Sequence, residues 1–124
     1  MAVTYTSAVK VARMNAVVTA IGATGVLEIG TAAMAAVLAT ISLQSTAGTV
    51  AGAGVLTLSG FPASDTSADG SGTAAAARIR TASGGTDIIT GLTVGLSGTD
   101  VILDSTNVTA GQTVTINSAV ITHA

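Results

Sequence analysis

A chain of 124 residues fits one domain, long enough to bury about two-thirds of its unfolded surface in a core of its own. It has no cysteine, which excludes disulfide frameworks, thiol catalysis and cysteine-based zinc sites. Only 8% of its residues are charged, the net charge is −2, and Tyr5 and Phe61 are its only aromatics, so both the phosphate-neutralising patch and the stacking rings of a nucleic-acid binder are missing. The apolar residues are mostly Ala and Val, so each core position buries little. A subunit built this way gains from burying further surface against neighbours.

Residues 1–6 read as a short arm. One helix is predicted over residues 7–22, with Ser7 capping its start and Gly22 ending it. Val11, Met14, Val18 and Ile21 fall on one stripe at helical spacing, and Lys10 and Arg13 lie off it. The β-branched Val9, Val11, Val17 and Val18 argue for a strand instead.

From residue 23 onward the texture is short β segments between Gly, Ser, Thr and Asp turns. The predicted strands begin with Val26–Ile29, Ala36–Leu43 and Gly54–Ser59. In the second of these, Val37, Ala39, Ile41 and Leu43 share a face. Phe61-Pro62 opens a polar loop from Ala63 to Gly72, expected to be an exposed excursion. Thr73–Thr81 follows, with Ala75, Ala77 and Ile79 facing one way and Arg78 and Arg80 the other. Asp87–Val94, Asp100–Leu103 and Thr113–Thr122 complete the set. In the last, Val114, Ile116 and Val120 face away from Thr113, Thr115 and Asn117.

Gly85-Thr86-Asp87-Ile88-Ile89 is echoed by Gly98-Thr99-Asp100-Val101-Ile102, which reads as two turns launching hairpin-connected strands. Some seven strands at this spacing predict a mainly β chain, an antiparallel β-sandwich of jelly-roll type with one N-terminal helix. Residues 23–124 form the sandwich and residues 1–124 a single domain.

No apolar run approaches the ~20 residues of a membrane helix. The longest, Ala32 to Leu43, already includes hydroxyls. Lys10 and Arg13 before an apolar run imitate a secretory signal, but Asn15, Thr19, Gly22, Thr24 and Gly25 dilute it.

Catalytic chemistry finds little to stand on. His123, the one histidine, sits beside the chain end, where a frayed terminus is the plainer reading, so the Ser and Thr residues lack an activating base. Lys10 is unmarked as an alternative. Asp65 with Asp69, and Asp100 with Asp104, are spaced as carboxylate pairs, but turn and cap roles explain them and no aromatic platform could hold a sugar. Asp65 to Ser71 lacks the alternating acids and closing Glu of a calcium loop. Gly52 to Gly54 and Gly95 to Gly98 have no phosphate-binding Lys after them, and Asn107-Val108-Thr109 reads as a turn despite matching a glycosylation sequon. No cofactor or metal site is expected. Arg78 and Arg80 fit either a solvated edge that blocks aggregation or an anchor on a partner's carboxylate.

Several phrases carry a resemblance. Thr4-Tyr5-Thr6-Ser7-Ala8-Val9-Lys10 with Ala12-Arg13-Met14, Leu27-Glu28-Ile29-Gly30, Leu56-Thr57-Leu58-Ser59-Gly60-Phe61-Pro62, Thr73 to Arg80, and Gly111 to Ala119 together resemble small head proteins of tailed bacteriophages. The family the chain resembles is the capsid decoration, or cement, proteins. The resemblance implies a β-sandwich or jelly-roll module on the outer surface of the virion capsid. It would bind across major capsid protein subunits, pair with itself as a dimer or trimer, and stiffen the head. It implies no catalytic residue.

On this reading Tyr5, Lys10, Arg13 and Met14, standing apart from the β body, touch a neighbour, and Arg78 and Arg80 are further candidates for contact. Other phage parts (a tail-tube, head-fibre or tail-tip module) and a secreted β-sandwich adhesin are the rival readings. The first predicts self-assembly without the shell, the second a cleaved N-terminus and glycan binding.

Overall fold

Helix α1 spans Ser7–Ile21 in the computed structural model, which describes residues 5–44, 46, 48–51, 54–82 and 84–122. Thr6, one residue earlier than expected, caps it. Its backbone is extended and its Oγ1 accepts from the Val9 N–H at 3.4 Å. Gly22 ends the helix at φ 72°, ψ −160°, a conformation open essentially to glycine alone, and its N–H reaches the Val18 carbonyl. The apolar stripe is buried over only part of its length. Met14 and Ile21 are buried and Val17 and Val18 pack against the core, whereas the helix residues before Met14 are exposed or half-exposed. The C-terminal half holds the helix in place.

The described strands are β1 (Val26–Gly30), β2 (Val37–Ser42), β3 (Gly48–Ala51), β4 (Val55–Leu58), β5 (Ala63–Asp65), β6 (Gly72–Thr73), β7 (Ala76–Arg80), β8 (Asp87–Gly95), β9 (Val101–Leu103), β10 (Asn107–Val108) and β11 (Val114–Thr122). The main sheet runs β2-β1-β7-β8-β9-β11-β4-β3, with β5 also beside β11, and β6 and β10 form a separate pair. The chain is mainly β with one helix, as the strand pattern predicts. The main sheet is a curled half-barrel of mixed direction, because β8 and β9 run parallel.

That parallel pair corrects the hairpin reading of the echo. Both copies do launch strands, but Val94 lies opposite Val101 and Gly95 opposite Ile102. Asp100 makes the tight return possible. Its Oδ2 accepts from the Thr93 N–H at 3.0 Å and the Thr93 hydroxyl at 3.1 Å, and its own N–H donates to Thr93 Oγ1 at 3.0 Å.

Bulges bend the sheet. The β7–β8 register slips on both sides of Ile79, and Gly91 in β8 takes φ 74°, a left-handed value suited to a bulge. In β11 the register slips between Ile116 and Ser118. The slip changes which residues face inward, so Ala119 and Ile121 are buried with Val114 and Ile116, while Val120, expected inside, is half-exposed. β11 is the hub of this half of the sheet. It pairs with β9 along one edge and with β5 and then β4 along the other.

The loop from Ala63 to Gly72 is no excursion. It begins as β5, buries Ala68, and runs along the outer edge of β2. The Asp69 N–H donates to the Leu38 carbonyl at 2.7 Å, and the Ala68 N–H to the Gln112 carbonyl at 2.9 Å. Asp65 Oδ2 accepts from the Thr40 N–H, Asp65 Oδ1 from the Ser67 N–H, and Asp69 Oδ2 from the Thr40 hydroxyl, at 3.0, 3.0 and 3.1 Å. This strap covers one terminal strand of the sheet and brings β5, at the far end, against β2.

The predicted strand Thr73–Thr81 is split into β6 and β7. Ala77 and Ile79 are fully buried as expected, but Ala75 is exposed at the break, where its N–H donates to the Gly30 carbonyl. The helix bridges two parts of the sheet, packing on β8 and on β4 and β3.

Candidate interaction surface

Alternation along β7 sets Arg78 and Arg80 on one face, as expected, but β7 is an interior strand between β1 and β8, so the edge reading fails. The carboxylate they meet belongs to the same chain. Glu28 of β1 lies directly opposite Arg78 and is buried, at 5% exposure. Arg78 Nε donates to Glu28 Oε1 at 2.6 Å, and Arg80 Nη1 lies 3.8 Å from the same oxygen. Arg80 Nη2 donates to the Gly85 carbonyl at 2.6 Å. Its Nε lies 2.9 Å from Asp87 Oδ1, too bent for a hydrogen bond. Two positive and two negative charges therefore cancel across β1, β7 and the start of β8, and the charge-assisted contacts tie the strands together.

The other two cations lie on the exposed half of α1. Tyr5 precedes the cap and is 46% exposed, with the Arg13 guanidinium carbon 4.7 Å from its ring centroid. Such a cation–π contact at an exposed site contributes about 0.5–1 kcal/mol. It holds the Tyr5 ring along the helix and leaves its other face open. Val9, in the first turn of the helix, is exposed and Lys10 is half-exposed. No acidic residue occupies the first turn, so the positive end of the helix dipole adds to these charges. Met14 does not belong to this surface. At 3% exposure it is core, because the stripe that carries it turns inward at that point.

Three of the remaining acids hold neighbouring threonines in place. Asp65 and Asp69 both accept from Thr40, and Asp100 accepts from Thr93. Asn107 lies in β10, next to the buried Val108. Leu96, 60% exposed at the tip between β8 and β9, is an apolar surface residue that the sequence pattern does not mark. Among the described residues there is no surface pocket, no cluster of three metal-ligating side chains, and no helix long and apolar enough to cross a membrane. His123 and residues 1–4 lie outside the described residues.

The fold and its surface define a small, mainly β module in which exposed Tyr5 and Val9 lie with Lys10 and Arg13 toward one end of the helix. Neither a protein family, nor a curated protein, nor a solved structure matches the chain.

Proposed function

We propose that this chain is a structural virion protein, a decoration protein that binds the outside of a tailed-phage capsid across major capsid protein subunits and stabilises the shell. It works by contact and not by catalysis. The observation that carries this reading is the exposed half of α1. There Tyr5, Val9, Lys10 and Arg13 stand clear of the β body, while the other two cations of the chain are occupied by its own carboxylates. An amphipathic ring beside Arg is the side-chain chemistry enriched where protein surfaces meet. Weak charge elsewhere lets the remaining surface approach other subunits with little desolvation cost. In this reading the curled sheet takes the place of the jelly-roll sandwich of such proteins, as a stiff base for the contacts. Repetition over a shell multiplies a modest affinity at each position.

The test is to mix the purified protein with expanded heads assembled without it and to image them by electron microscopy. Density at regular shell positions is the expected result, reduced by the double substitution Tyr5→Ala, Arg13→Ala. Bare heads at saturating protein overturn the proposal.

A further inference from the structure

The two ends of the main sheet are treated differently. The outer edge of β2 is covered by the Asp65–Asp69 strap. At the other end β3 pairs only with β4, and among the described residues no hydrogen bond reaches its outer edge. Strands that end a sheet are ordinarily blunted by charge, proline, a bulge or a cover. β3 has none of the first three. Its sequence is Gly-Thr-Val-Ala, its register with β4 is unbroken, and no charged residue occurs from Ile29 to Ser64.

We propose that this edge is the self-association site of the chain, where β3 of a second copy adds antiparallel across a twofold axis and joins two main sheets into one. The inference rests on the reading of the chain as a subunit that works by packing, and it names the first contact. The pleat fixes the register. Val50 packs toward the core while Thr49 and Ala51 are exposed, so side chains on matching faces meet only if the axis passes through a residue and not between two. Centred on Val50, the pairing sets Val50 against the second copy's Val50 and Thr49 against its Ala51. No like charges come opposite each other, so nothing electrostatic opposes the approach.

Three residue pairs bury far less than the ~1,200–2,000 Å² of a stable interface, so a flank must contribute. Helix α1 packs against β3 and is the neighbouring element that can supply it. With the outer edge of β2 covered, the main sheet cannot add a copy at both of its ends, and a twofold pairing at β3 closes as a dimer without growing into a fibre.

The test is the mass of the full chain in solution, by light scattering or sedimentation across a range of concentrations. The expected value is twice the 11.8 kDa of one chain. Thr49→Lys combined with Ala51→Lys, at the two exposed positions that face each other across the axis, should halve that mass with an unchanged circular dichroism spectrum; Thr49→Glu combined with Ala51→Glu should do the same, and mixing the two double variants should restore the dimer. A natural chain that stays monomeric at all concentrations overturns the proposal. So does a trimer, which a twofold cannot build, or a dimer indifferent to lysine at both Thr49 and Ala51. The mass is read without capsids, so it can fail while head binding stands, and head binding can fail while the dimer stands.

Discussion

Replacing Glu28 by glutamine keeps the size of the side chain and removes its charge. In the natural chain this buried carboxylate faces Arg78 at 2.6 Å and Arg80 at 3.8 Å. Removing one partner of a buried ion pair generally costs about 3–5 kcal/mol, because the other charge stays behind unpaired. Here the arginines keep 22% and 20% of their side chains in water, which takes up part of the lost attraction, and the amide oxygen can still accept from Arg78 Nε. The loss should therefore be about 2–3 kcal/mol. With a urea slope near 1.5 kcal/mol per molar, the unfolding midpoint should fall by about 1.5–2 M at unchanged slope. A cycle with Glu28→Met, Arg78→Met and both together separates the pair from its surroundings. The double variant should be less destabilised than the two single variants combined, since it leaves neither an unpaired carboxylate at position 28 nor an unpaired guanidinium at position 78. A Glu28→Gln chain within about 0.5 kcal/mol of the natural one would refute the reasoning and mark the cluster as neutral to stability.

Ile79→Ala, at a fully buried position between β1 and β8, should cost about 2–5 kcal/mol by urea unfolding, the transfer term plus the cavity left behind. Asp65→Ala removes two acceptors, so amide hydrogen exchange at Thr40 and Ser67 should quicken while amides in the centre of β7 exchange as before. Gly22→Ala meets no atom within 4 Å, so its cost, about 1–3 kcal/mol, comes from the backbone alone and should appear as a lowered melting temperature with little change in the sheet.

Where local pattern decides the structure, the sequence was a sound guide. The helix, β1, β2 and the division of β7 into Ala77 and Ile79 against Arg78 and Arg80 all follow from spacing. Long-range pairing was hidden. β3 is four small residues whose strand character comes from β4, and the strap reads as a loop until Thr40 and Leu38 are brought beside it. The bulge in β11 shifts the alternation by one residue, and nothing in Asn117-Ser118-Ala119 announces it. The partner of Glu28 left a faint trace. A lone acid in Val26-Leu27-Glu28-Ile29 and lone bases in Ala77-Arg78-Ile79-Arg80 are the charges that two neighbouring apolar strands would need to neutralise each other. At the candidate surface, Tyr5 and Arg13 could be nominated from their rarity, whereas the burial of Met14 depends on where the helix leaves the body.

The position of β11 in the chain has a consequence for folding. It follows β4, β5 and β9, yet all three hydrogen-bond to it. On the ribosome, β1, β2, β7 and β8 can assemble as soon as residue 95 is free, but the β3–β4 hairpin and β5 have no strand to join them to that sheet until residues 114–122 emerge. Closing such distant pairs is slow, and for that interval Leu56 and Leu103, both buried in the finished molecule, remain open to the surrounding solution.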